Sequence, residues 1–225
     1  MAAFLDDAHV MFVGHDDKYL HIYNYYNAPS NLLSGNGLDT ATLELVPPDT
    51  TWDILTISIT APSLAPNTSF CRLDPSQEIY VITLVVTTDG LENKQILIFI
   101  PRDPIVACAE LVRRNEHPRH FGWEEWASGV QIIERSGCLP GPSYGISGSR
   151  IVLGRILEVD ELELEFLEHD VEDTGTLTCR TTRTTRIHLP VQSFLVRSVA
   201  AWENGVVIET IQRTSMFVAS LSGQS

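Results

Sequence analysis

The sequence is short of basic charge. Its 225 residues hold 15 Lys and Arg against 29 Asp and Glu, for a formal net charge of −14. Phosphate backbones and anionic bilayers are bound through a cationic field, so neither nucleic acid nor a membrane is an expected partner. Long hydrophobic runs are missing too: no stretch approaches the ~18 apolar residues of a membrane helix. The opening MAAFLDDAHV lacks a basic start and reaches Asp6 and Asp7 at once, so it does not read as a signal peptide. The expected localisation is therefore cytoplasmic or nuclear. Cysteine is scarce, and Cys71, Cys108, Cys138 and Cys179 form no CxxC pair. Free buried thiols fit a reducing compartment better than two disulfides do, and the sequon at Asn67 then carries no weight.

What is present belongs to a folded globular chain. Hydrophobic residues make up 44% and charged residues 20%, with a mean hydropathy of +0.03. That length and composition can bury a core without staples. Most of the chain alternates in period two, the signature of half-buried strands. His9–Val13 and Tyr19–Tyr23, separated by Gly14-His15-Asp16-Asp17, read as a hairpin. A Gly/Asn/Ser loop follows, then a strand over Ala41–Val46 stopped by Pro47-Pro48. Ile54–Thr60 alternates strictly, with Leu55, Ile57 and Ile59 on one side. Ile79–Thr87 and Gln95–Ile100 are nearly continuous apolar runs around Asp89-Gly90, so they read as a second hairpin buried on both faces.

One helix is expected, near 104–115. Asp103 reads as its N-cap and Pro104 as its first residue, with Ile105, Cys108, Ala109 and Val112 on one face. Residues 116–148 read as a long Gly/Pro-containing loop insertion with a strand signal at Val130–Glu134. Further strands are expected at Arg150–Leu157, Phe194–Val199, Val206–Glu209 and Met216–Leu221, with Asn204-Gly205 as a turn. Between them, Glu158–Asp173 holds nine carboxylates in 16 residues and no Lys or Arg. Glu161, Glu163 and Glu165 alternate with Leu162, Leu164 and Phe166, which is a strand with one core face and one charged face. The Thr-rich segment bearing Arg180, Arg183 and Arg186 reads as its neighbour, with charges paired across the ladder. The fold class is thus mainly β: an antiparallel, propeller-like or sandwich-like stack of short strands, in a single domain over 1–225 or part of a propeller.

Several motifs invite a chemical reading and lose to a plainer one. Gly141-Pro142-Ser143-Tyr144-Gly145 matches G-x-S-x-G, but no strand precedes Ser143 and no helix follows it, as a nucleophile elbow requires. A serine hydrolase using Ser143 stays as the alternative function. Cys108, His117, His120 and Cys138 are zinc-ligand types with only one close pair where a structural site shows two. The acidic run lacks the glycine turn of a calcium loop. Gly35-Asn36-Gly37 lacks the frame of a phosphate loop. No catalytic residue, metal ligand or cofactor is therefore assigned. Trp123-Glu124-Glu125-Trp126 is the most distinctive local signal. Its two indoles fit either a satellite core or a protein contact, since exposed tryptophans concentrate binding energy.

The order of these features resembles a known family. Leu20-His21-Ile22-Tyr23 ends a hairpin, and Ile96-Leu97-Ile98-Phe99-Ile100 precedes a short helix. Gly122-Trp123-Glu124-Glu125-Trp126 and Gly148-Ser149-Arg150-Ile151-Val152 come next. This is similar to the carboxyl-terminal, β-rich half of the F-box-like proteins of mushroom-forming fungi. There a tryptophan–acidic–tryptophan motif follows a helix and a Gly-x-Arg-hydrophobic strand comes later. In place of the glycine usual after the second tryptophan, this chain has Ala127. The resemblance implies a non-enzymatic protein-interaction domain, akin to the region presumed to hold substrates, with an unknown protein partner. No F-box is legible, so binding of the Skp1 adaptor is not expected. A truncated fragment without independent function is the further alternative. Trp123, Glu124, Glu125 and Trp126 are the candidate protein-contact residues.

Overall fold

The computed structural model describes residues 2–14, 18–24, 40–60, 78–88, 92–114, 119–136, 144–147, 150–158, 161–172, 176–188, 196–202 and 205–210. The chain divides into two compact units. Met1–Ala61, Asp74–Glu134 and Val171–Leu177 form the first; Pro62–Leu73, Arg135–Asp170 and Thr178–Ser225 form the second. The expected fold class holds: the protein is mainly β, with mostly antiparallel sheets and two short helices. Among the described residues no sheet closes into a barrel and no propeller is formed.

In the first unit, β1 (Ala2–Phe4), β2 (His9–Val13), β3 (Tyr19–Asn24) and β4 (Thr40–Glu44) run as an antiparallel meander. The two-residue β8 (His120–Phe121) adds to β4 in parallel. Period two sorts the side chains. Met11, Val13, Leu20, Ile22, Ala41 and Leu43 enter the core. Phe12, Tyr19, His21 and Tyr23 lie on the opposite face. There the Phe12 ring stacks on His21 at 4.9 Å and on Tyr23 at 4.7 Å, and Tyr19 meets His120 edge-on at 5.3 Å. Cross-strand ring pairs of this kind stabilise a sheet by roughly 0.2–1 kcal/mol each.

The second sheet of this unit is β5 (Asp53–Thr60), β6 (Ile79–Thr88), β7 (Glu92–Pro101) and β9 (Gln131–Arg135), in the order β5-β6-β7-β9. β6 and β7 pair without a register break from Ile79↔Pro101 to Thr88↔Glu92. Tyr80, Ile82, Leu84, Ile96, Ile98 and Ile100 join the core shared with the first sheet. Ile79, Val81, Leu97 and Phe99, on the other face, are equally buried. The apolar runs therefore mean what they suggest, burial on both sides. β5 departs from its expected strict alternation. Its register shifts between Ile54 and Thr56, so Leu55 turns out to solvent while Ile54 packs on the core with Ile57. One extra residue in a strand has this effect on every side chain before it.

Helix α1 (Arg102–Arg113) buries Ile105, Cys108, Ala109 and Val112, the face that its spacing predicts. Its start differs. Pro101 is the N-cap, without a side-chain cap, and Asp103 lies in the first turn. Pro104 is tolerated there because the first-turn N–H groups have no intrahelical acceptor in any case. The segment read as a loop over 116–148 also differs. It carries β8, helix α2 (Trp123–Trp126), a 3-10 turn (Ala127–Gly129), β9 and β10 (Tyr144–Ser147). Phe121, Trp126 and Ala127 contribute to the core, which is why so irregular a sequence is held in place.

β10, β11 (Arg150–Glu158), β12 (Glu161–Val171) and β13 (Leu177–His188) lie side by side in that order, and all but Val171 and Leu177 of these strands belong to the second unit. β14 (Val196–Trp202) and β15 (Gly205–Thr210) form an antiparallel ribbon. Val152, Leu162, Leu164, Phe166, Val196, Val199, Val206 and Ile208 make one core between them. β12 buries its Leu and Phe positions and keeps Glu161, Glu163 and Glu165 only partly covered, as the alternation predicts. β10 begins inside the Gly141–Gly145 stretch, pairing Tyr144 with Leu153. The strand expected over Met216–Leu221 and the turn residues Asp89, Gly90 and Asn204 lie outside the described residues.

Candidate functional site

The Trp-Glu-Glu-Trp segment sits on β4. The chain leaves β8, and Gly122 begins a single helical turn: the Glu125 N–H donates to the Gly122 carbonyl at 3.0 Å. Gly122 has no side chain to cap that turn. Glu125 caps it instead, its Oε2 accepting from the Gly122 N–H at 2.6 Å. Glu44, the last residue of β4, holds the turn from below. Its Oε2 accepts from the Trp123 N–H at 3.4 Å, and its carbonyl accepts from the Trp126 Nε1–H at 2.9 Å.

The two indoles, three residues apart, have different surroundings. Trp126 is only 3% exposed and belongs to the core. Trp123 is half-buried and packs edge-on against Trp126 at 5.5 Å and 73°. Glu124 and Glu125 are exposed. The candidate contact set is thus brought together on one turn, but Trp126 is withdrawn from its surface. What remains outward is an aromatic flank beside two carboxylates, on backbone fixed at both ends. Beneath it the Cys108 thiol, part of the core, is pushed up to about 11 by burial and then by the Glu125 charge.

The charge ladder expected between the acidic and arginine segments is present. β12 and β13 are neighbours. Arg180 lies 3.7 Å from Glu168, and Arg186 lies 3.7 Å from Glu163, which Arg155 of β11 also engages. The Thr181 hydroxyl donates to Glu165 at 2.8 Å. Arg183 makes no ion pair among the described residues.

One cluster has no counterpart in the sequence reading. Asp6 Oδ1 accepts from the N–H groups of Ala8 and His9, both at 2.7 Å, closing the turn between β1 and β2. The buried His9 ring places Nδ1 3.0 Å from both Asp6 oxygens and Nε2 3.3 Å from the Asn24 amide. Arg102 reaches the Leu5 carbonyl at 3.4 Å, and the Tyr80 hydroxyl donates to the carbonyls of Phe4 and Leu5. Burial pushes the Asp6 carboxyl up, but the Ala8 N–H, the His9 ring and its charge outweigh burial and hold it below 3.8. Both His9 nitrogens are engaged, so neither is left for a substrate, and the cluster serves to pin the amino-terminal turn. Asp-x-x-His before a strand was the only available signal, and it does not reveal Asn24 or Arg102.

The remaining candidates do not assemble. His120 is exposed on β8, and Cys108 is buried in α1. Among the described residues no group of three or more His, Cys, Asp or Glu could hold a metal ion. Among them, too, no helix is long and apolar enough to cross a membrane. Ser143, His117, Cys138, Cys71, Asn67 and Gly35-Asn36-Gly37 lie outside the described residues. The free Cys179 thiol on β13 is pushed up to about 11 by burial. Set against protein-family models, curated proteins and solved structures, the chain matches none of the three.

Proposed function

We propose that this chain is a non-enzymatic protein-interaction module, as its resemblance to the substrate-holding region of F-box-like proteins implies. The contact site is the α2 turn, with Trp123 and Glu124 facing the partner. The observation that carries this reading is the division of labour between the two tryptophans. Trp126 anchors the turn in the core, while Trp123 stays half-exposed beside two exposed carboxylates. A side chain held in place before binding loses little entropy on association, and aromatic anchors of this kind concentrate interface energy. A partner with a cationic rim around an apolar recess fits that surface.

The two tryptophans also provide the test. Trp126→Ala removes a core indole and leaves the Glu44 carbonyl without its donor, so it should lower folding stability by about 3–5 kcal/mol in denaturant titration. Trp123→Ala should cost less than Trp126→Ala, because its indole is only half-buried against Trp126, and Glu124→Lys should leave the unfolding midpoint close to that of the wild type. Both should abolish the capture of specific proteins from a fungal extract by the immobilised chain. An unchanged set of captured proteins for both folded variants would remove the proposal.

A further inference from the structure

We infer that the outer edge of β13 is a second docking surface, one that accepts an extended, carboxylate-bearing segment of another protein as an added strand. β13 is the end strand of its sheet among the described residues, and it is 12 residues long. Five consecutive residues, Arg180–Thr184, are exposed. The side chains of Arg180 and Arg186 are 82% and 65% exposed even while touching their carboxylates. An edge strand of this length offers a row of backbone donors and acceptors to an incoming chain.

Its chemistry selects the occupant. The inner side of β13 already shows how a glutamate-bearing strand sits beside it. Arg180 takes Glu168, Thr181 takes Glu165, and Arg186 takes Glu163. Arg183, midway between the two paired guanidinium groups, is exposed and has no ion pair among the described residues. A strand with carboxylates at alternate positions, set on the face of Arg183, would give that guanidinium a partner. A second copy of this chain fits poorly. Two β13 strands paired antiparallel about Arg183 would set arginine opposite arginine, and like charges directly opposed are destabilising. Nucleic acid fits poorly as well, because its backbone cannot continue the amide hydrogen-bond ladder that a strand edge offers.

The test uses the full chain and a fluorescein-labelled ten-residue peptide of alternating Glu and Val, followed by anisotropy. The expected result is saturable binding that weakens with added salt and falls ~tenfold or more in Arg183→Glu, with an unchanged unfolding midpoint. Arg183→Gln should lie between, and a Lys/Val peptide should bind Arg183→Glu better than the wild type. Methylating alternate backbone nitrogens of the peptide distinguishes strand addition from simple charge attraction: one set of positions should abolish binding and the other should spare it. Equal loss from both sets, equal binding by random-coil polyglutamate or by a single-stranded DNA of the same charge, or no binding at all would overturn the inference.

Discussion

The β6–β7 hairpin and the β12–β13 pair are both long two-strand ladders, yet they are held by opposite means. β6 and β7 bury nearly every side chain, on both faces, and their central residues are aliphatic. β12 buries only alternate residues, and β13 buries little beyond Leu177. Its cohesion comes from backbone pairing, ion pairs and threonine hydroxyls. Apolar burial contributes roughly 25 cal/mol per Å² and does not depend on salt, while a solvent-exposed ion pair adds about 0.2–1 kcal/mol and is screened. The first pair is therefore a structural centre. The second is marginal and open, which suits a surface that exchanges partners.

This contrast can be broken from either side. Ile98→Ala, in the centre of β7, should cost about 2–5 kcal/mol of unfolding free energy, because the cavity it leaves cannot collapse between two packed layers. The same measurement on Arg186→Glu should show a loss of about 0.5 kcal/mol, since the reversal sets a negative charge against Glu163. That smaller loss should shrink at high salt, whereas the Ile98 effect should not. Arg183→Glu should change stability least of all. If it matched Arg186→Glu, the two arginines would be equivalent and the unpaired status of Arg183 would have no consequence.

The amino-terminal turn adds a dependence on pH. The Asp6 carboxyl is held below its ordinary 3.8 by the Ala8 N–H and by His9, against the opposing effect of burial. The unfolded chain then takes up this proton first as pH falls. The stabilisation is complete above 3.8 and is lost as pH drops through the lower folded value. Asp6→Asn should therefore lower the melting temperature at neutral pH, and its curve should converge with the wild type in the acid arm. Parallel curves would mean that Asp6 contributes no proton-linked stability.

Much of the β architecture was legible in the chain, because period two and period 3.6 are local properties. His9–Val13, Ile79–Thr87 and the Ile105–Val112 helix face stand where their spacing puts them. The acidic run was legible as a strand for the same reason, with Leu162 and Leu164 marking its inner face. The failures share a different cause. β8 and β10 are short, and they are regular because Phe121 and Tyr144 are buried by residues far away in sequence. The Leu55 bulge likewise depends on the register of β5 against β6.

By itself the sequence determined which residues share a face. It put Glu163 with Glu165, Ile105 with Val112, and Trp123 near Trp126 on one turn. Only the tertiary structure decided which of those faces is covered. Trp126 and Trp123 have the same chemistry and lie three residues apart, yet one ends in the core and the other at the surface. The reason is that the Glu44 carbonyl lies within reach of one indole N–H, at 2.9 Å. Periodicity is set by bonds along the chain, whereas burial is set by a neighbour that the chain brings back from 82 residues away.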